Sequence, residues 1–429
     1  MTKPNFLFLF PDQHRGDWMP YNDNVFTALQ TERPQIRMPN VEKLMKGGTS
    51  FYRCVTPSPL CAPARACIAA GKRYENCRVP GNDMDYPVDM ESFYSVLRDN
   101  GYSVGGVGKF DLHKVALNWG LSGWVEDIGK IGFTTGIDSE GKWDAIKSLD
   151  TEPKGPKGPF MKYLKDKGLL GDHVADMMKR QGPAKKMYTE PTTLPDEAYG
   201  DTWVGSNGVE MVKNFPKGKP WFIQVNFPGP HEPWDITKSM KDKWKNAKLP
   251  AAERGVPEHV HELNNVRQNY AAMLENIDTQ IGLLIDEVKK RGELDNTIII
   301  YSSDHGEMLG DLDLYGKILP DRASVHIPLV FSGPGIKENV TSDALTELTD
   351  LPATLLDYAG ISGKFNDAVS MKPLLEGKIP ELRQSVQSAL KDWVVIIDKK
   401  YKTISKNGVV QRKYDLINDP WERNNLSAN

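Results

Sequence analysis

Short, unbroken apolar runs alternate with longer stretches of helical spacing along most of this chain. Phe6–Phe10 is such a run. It predicts a buried strand that ends in the polar group Pro11-Asp12-Gln13-His14. Ser103–Gly108 predicts a strand leading into Lys109, and Trp221–Phe227 one that ends in Pro228-Gly229-Pro230-His231. Thr297–Tyr301 is β-branched almost throughout and delivers Ser302-Ser303-Asp304-His305, while Ile327–Phe331 predicts a further strand. Between them, helical patterns cover Asn40–Lys46, Ala64–Ala70, Met90–Asp99 and Leu348–Tyr358. The longest covers Val266–Arg291, where Met273, Ile277, Ile281, Leu284 and Val288 recur at helical spacing.

Strands and helices in alternation predict an α/β fold: a large, mainly parallel central sheet flanked by helices. A chain of 429 residues suits one large domain with a smaller appendage. After about Asn366 the apolar runs shorten and alternate, at Val394–Ile397, Tyr401–Ile404 and Val409–Tyr414. The expected division is therefore a main unit over 1–365 and a small C-terminal α+β subdomain with an antiparallel sheet over 366–429. The segment 111–202 is rich in Gly, Lys, Pro and Asp, with scattered apolar residues, and reads as an insertion over one face of the sheet. Ligands of open α/β sheets bind at the carboxyl ends of strands. Asp12, Lys109, His231, Asp304 and His305 all follow predicted strands.

Composition narrows the partners. Net charge is −3, from 54 basic and 57 acidic residues, so the surface exerts no general pull on nucleic acid or an acidic membrane. An anionic ligand would need a local basic pocket. No stretch approaches the roughly 20 apolar residues that span a bilayer, and Met1–Asn5 does not read as a signal peptide. The expectation is a soluble protein, cytoplasmic as the sequence stands, or periplasmic or secreted if a leader has been trimmed. The four cysteines, Cys54, Cys61, Cys67 and Cys77, crowd into one stretch. That distribution suits neither a disulfide framework nor a paired structural zinc site, but a special role for one of them.

The sharpest local signal is Cys61-Ala62-Pro63-Ala64-Arg65, just before a predicted helix that stops at Gly71. Read without context, it is a buried cysteine with a proline in the first turn of a helix. Asp12 and Gln13 on one strand tip, with Asp304 and His305 on another, form a candidate hard-cation site. Carboxylate and amide oxygens suit Ca²⁺, and an imidazole also admits Mn²⁺ or Zn²⁺.

The C-x-P-x-R motif resembles the signature of the sulfatases, the formylglycine-dependent members of the alkaline phosphatase superfamily. The resemblance extends over nearly the whole chain. It takes in Ser303–Gly310 with Gly316-Lys317, Ile327–Gly335, and the tail Tyr414-Asp415-Leu416…Asp419-Pro420…Asn425-Leu426. It implies that a formylglycine-generating enzyme oxidises Cys61 to formylglycine. One hydrate oxygen would attack sulfur and the other would collapse to expel sulfate. It implies one divalent cation, Ca²⁺ ahead of Mn²⁺, held by Asp12, Gln13, Asp304, His305 and the modified Cys61. By the same resemblance, Arg65 holds the hydrate oxygen, Lys109 and Lys317 contact sulfate, and His231 stands near the leaving oxygen; Asn82 belongs to the same pocket. Where many members have Asp, this chain has Gln13. The usual histidine two places beyond Lys109 is replaced by Asp111; either His113, two places further on, supplies the imidazole, or His231 alone is the leaving-group acid.

The implied activity is hydrolysis of a sulfate monoester, with a sulfated carbohydrate as the expected substrate. A phosphonate monoester or phosphodiester hydrolase is the alternative within the same superfamily. A non-catalytic member that binds anions or carbohydrate is the other, since Trp119, Trp124, Trp143 and Trp234 could stack on sugar rings. The oligomeric state is left open.

Overall fold

A computed structural model of the chain describes residues 3–182, 187–363 and 365–427. Met1 and Asn429, the outer ends of the two expected units, lie outside the described residues, as do residues 183–186 of the 111–202 segment.

Strand β1 (Asn5–Leu9) is buried throughout and lies at the centre of a nine-stranded sheet. Its neighbours are β5 (Trp221–Asn226) and β6 (Thr297–Ser302), both parallel to it, with Phe6 opposite Phe222 and Ile298. On one side the sheet continues through β3 (Ser103–Gly108) to β4 (Thr135–Asp138), again parallel. On the other it continues through β7 (His326–Ser332) and β2 (Gly48–Val55), with the short strands β8 (Val340–Ser342) and β9 (Thr346–Glu347) beyond. Only β7 runs antiparallel to its neighbours, so the sheet is mixed but mostly parallel, as the alternation predicts.

Side chains alternate across a strand, and in β1 both faces are apolar. Phe6 and Phe8 join one core with Phe222, Ile300 and the helix Cys61–Ala70. Leu7 and Leu9 join a second core with Met273, Ile277, Ile281, Leu284 and Val288 of the helix Val260–Lys290. No helix among the described residues is long and apolar enough to cross a membrane.

Several elements differ from expectation. The helix expected from Ala64 begins at Cys61, so this cysteine sits inside the first turn, with Leu60 extended before it. Pro63 is tolerated there because first-turn N–H groups have no partner within the helix. The helix expected from Met90 begins at Phe93, where the Ser92 hydroxyl accepts the Ser95 N–H at 3.0 Å and caps it. Strand β2 was not anticipated: its period breaks at the half-exposed Tyr52 and Arg53. The 111–202 segment does not lie wholly over a face of the sheet, since its strand β4 forms one edge.

The C-terminal sheet has four antiparallel strands, β10 (Ser385–Leu390), β11 (Trp393–Asp398), β12 (Tyr401–Lys406) and β13 (Val409–Asp415). Its Val386, Val395, Ile397 and Ile404 share a core with Val55, Val325 and Leu345 of the main unit. Ala389 N–H donates to the Pro57 carbonyl at 3.0 Å, tying this sheet to the loop that precedes Cys61.

Candidate active site

Parallel strands bring their carboxyl ends to one edge of the sheet. β1 delivers Asp12 there, β3 Lys109, β5 the 228–233 loop, and β6 Asp304 and His305. The tips are stitched together: the Asp12 N–H donates to the carbonyls of Phe227 at 3.0 Å and Gly229 at 3.1 Å, and the Gln13 N–H to Asp304 Oδ1 at 3.0 Å. Gly108 allows β3 and β5 to close up before Lys109. Its φ is +94°, and a β-carbon there would lie 2.0 Å from the Asn226 carbonyl oxygen.

The helix Cys61–Ala70 points its first turn at this edge. Ligand atoms of Asp12, Cys61, Asp304 and His305, all buried, lie within 4.8 Å of one another. Cys61 Sγ is 3.3 Å from His305 Nε2 and 3.9 Å from Asp12 Oδ1. Two carboxylates, an imidazole and position 61 form a mainly hard donor set, which fits one divalent cation.

Arg65 lies four residues after Cys61, hence on the same helix face. Its guanidinium donates to Asp304 Oδ2 and to the Asn226 amide oxygen, at 3.0 and 3.1 Å, and lies 3.4 Å from Asp12 Oδ2. Lys109 pairs with Asp12 and, at 3.1 Å, with Asp111. Lys317 donates to Gln13 Oε1 at 2.5 Å and meets His231 Nε2. The other ring nitrogen, Nδ1, meets the Glu232 carbonyl at 2.5 Å and lies 3.2 Å from Glu232 Oε2.

These contacts shift the site's acids. Burial works to raise the Asp12 carboxyl, but Lys109, His231, Lys317 and Arg65 outweigh it and hold the group well below its usual range. Burial and Asp12 would likewise raise the Cys61 thiol; Lys109, Lys317 and His305 reverse the balance and lower it. Position 61 therefore sits in a field that favours negative charge, at a helix N-terminus that adds to it.

The remaining expected residues are placed as follows. Asn82 accepts the Ala62 N–H at 2.9 Å and so steadies the start of the Cys61–Ala70 helix. Asp111 bridges Lys109 and Lys114, each at 3.1 Å. His113 Nδ1 lies 3.6 Å from Asp85 and 3.7 Å from Asp127, neither of them in the cluster. The Gln13 amide nitrogen donates to Glu232 at 2.7 Å and also meets Glu307. Sequence reasoning missed Asn226, Glu232 and Glu307. Glu232 adjoins His231, which was a usable signal; Asn226 ends an apolar strand and had none.

Buried carboxylates, an imidazole and a cysteine meet converging cations at the carboxyl edge of this sheet, and the chain's relatives make it an enzyme of sulfatase type. The sulfatase family model matches residues 4–361, and the chain belongs to that family. An arylsulfatase of Clostridium perfringens is 25% identical over 456 residues, covering 99% of this chain and 90% of the relative. A choline-sulfatase of Rhizobium meliloti is 27% identical, covering 100% and 83%. Among solved structures, a phosphonate monoester hydrolase of Agrobacterium radiobacter shares the fold, with a TM-score of 0.78, 22% identity and coverage of 100% and 92%.

Proposed function

We propose that this enzyme releases inorganic sulfate from a sulfate monoester, with position 61 as a formylglycine nucleophile beside one divalent cation. The observation that carries the reading is the meeting of Asp12, Cys61, Asp304 and His305 within 4.8 Å, ringed by Arg65, Lys109 and Lys317. Ca²⁺ is the ion this donor set suits first, with Mn²⁺ second. Asp12, Asp304 and His305 would hold it, with Gln13 beside them, and it would supply charge neutralisation at the transferring group. Formylglycine would supply a hydrated aldehyde: one hydroxyl to attack sulfur and a second whose loss of a proton frees the sulfate.

The protein's own residues account for the rest. Arg65 orients the attacking oxygen from the same helix face. Lys109 and Lys317 hold sulfate oxygens where charge grows in the transition state. His231, fixed by Glu232 through Nδ1, stands with Lys317 at the leaving oxygen, and this pair supplies the proton that oxygen takes as the S–O bond breaks. Asn82 and Asp111 keep the nucleophile helix and Lys109 in place. Cys61 is 2% exposed once folded, so a formylglycine-generating enzyme would act on it before the chain closes.

A sulfated carbohydrate fits the surroundings best. An open groove that includes Leu60 and Asn82, at the start of the Cys61 helix, is lined also by Tyr74, Arg78, Gln387 and Trp393, aromatic and hydrogen-bonding residues of the kinds that bind sugars. The test is turnover of an aryl sulfate against the matching aryl phosphonate, followed by a panel of sulfated saccharides. Faster cleavage of the phosphonate would overturn the sulfatase reading in favour of phosphonate hydrolysis. Substantial activity in Cys61→Ala would overturn the nucleophile.

A further inference from the structure

We propose that Lys142, carried by the 111–202 segment, is a positioning residue for His231. Its ammonium clamps the peptide carbonyls on both sides of Glu232 and so sets where the imidazole stands. The inference rests on the reading that His231 serves the leaving oxygen.

Lys142 begins the helix Lys142–Leu149, shortly after β4. Its Nζ donates to the His231 carbonyl at 2.9 Å, the Pro233 carbonyl at 3.2 Å and Asp235 Oδ1 at 2.7 Å. An ammonium has three N–H donors, and these acceptors use all of them. The side chain is only 12% exposed.

A small cavity of about 30 Å³ lies at the ends of this loop, lined by Glu140, Lys142, Tyr199, Asp201, Pro228 and Asp235. The Tyr199 hydroxyl and Asp201 Oδ2 are buried there without a protein partner. Packing against the loop is therefore incomplete on this side, and polar contacts complete it: Lys142 on His231 and Pro233, and Asp201 Oδ1 accepting the Gly229 N–H at 2.8 Å. Beyond it, Trp234 is buried in the core and its carbonyl accepts from Asn269 Nδ2 at 2.6 Å. Glu232 and Lys317 fix the ring of His231, and Lys142 fixes its backbone. A displacement of about 1 Å at a reacting group can cost on the order of a hundredfold in rate.

A leaving-group series separates positioning from general damage. Proton donation matters little when a stable phenolate departs and much when a basic oxygen departs. The experiment measures kcat/KM for Lys142→Met, Lys142→Gln and the parent on 4-nitrophenyl sulfate and on phenyl sulfate. Lys142→Met is expected to lose about tenfold to a hundredfold on phenyl sulfate and less than about threefold on 4-nitrophenyl sulfate. Lys142→Gln, which keeps an amide donor and serves if the Met variant fails to fold, is expected to show the same pattern at smaller size. His231→Ala should match the Met variant in pattern, and adding Lys142→Met to it should cost nothing more on phenyl sulfate. Equal losses on both esters, or no loss on either, would overturn the positioning role. A parent inert toward both esters and toward the whole panel of sulfated saccharides would instead overturn the sulfatase reading, and the inference would fall with it.

Discussion

Arg65 and Asp304 stand 239 residues apart in sequence, yet Arg65 Nε donates to Asp304 Oδ2 at 3.0 Å with both side chains buried. The contact fastens the Cys61–Ala70 helix to the tip of β6. It also places a fixed positive charge against a cluster rich in carboxylates.

Removing that charge should be costly. Arg65→Met leaves Asp12 and Asp304 buried without their guanidinium, a change worth roughly 3–5 kcal/mol in buried pairs. Urea denaturation should show a loss of that order. Arg65→Lys should recover only part of it, because one ammonium cannot reach Asp304, Asn226 and Asp12 as the planar fork does.

The two histidine candidates should separate cleanly in turnover. His231 meets Lys317 and Glu232 at the site, while His113 pairs with Asp85 and Asp127. His231→Ala should lower kcat for an unactivated sulfate ester by about 10²–10⁴, the usual worth of a general acid. His113→Ala should change it by less than about threefold, as steady-state kinetics on one substrate would show.

Chelation should inactivate and destabilise together. Native mass spectrometry should find one divalent ion per chain before dialysis against a chelator and none after. Restoring Ca²⁺ at about a hundred times its dissociation constant should return roughly 2.7 kcal/mol of stability. Asp304→Asn should shrink that gain.

Stability should fall with rising pH through Glu140. Burial is the main cause that lifts this carboxyl from 4.5 to about 7, against the N–H bonds it accepts from Phe160 and Met161. Between those values the folded chain keeps a proton that the unfolded chain has lost. The contribution is thus complete below about 4.5 and gone once pH has risen through 7. Glu140→Gln cannot titrate. From pH 5 to pH 8 the parent should lose on the order of 2 kcal/mol relative to this variant in paired urea melts.

Gly108→Ala should disable the enzyme without touching a charged group. The new methyl would strike the Asn226 carbonyl from a backbone with φ +94°, so β3 and β5 would have to part just before Lys109. A stability loss of about 1–3 kcal/mol is expected from the strained backbone alone, with near-complete loss of turnover. A melting curve and a rate measurement on the same sample would check both.

Much of this was legible in order along the chain. Apolar runs mark β1, β3, β5, β6 and β7, because a strand buried on both faces must be apolar at nearly every position. The polar groups closing four of those runs are the ones that meet at the site, and the C-x-P-x-R spacing puts Cys61 and Arg65 on one helix face. What stayed hidden depends on partners distant in sequence. β2 breaks its own periodicity at Tyr52 and Arg53, and β4 becomes an edge strand only through its register with β3. Asn226 and Lys142 carry no local mark either. Their roles come from the side of the loop or strand on which folding places them. Local periodicity reports which residues are buried, and only the packed chain decides which buried groups touch.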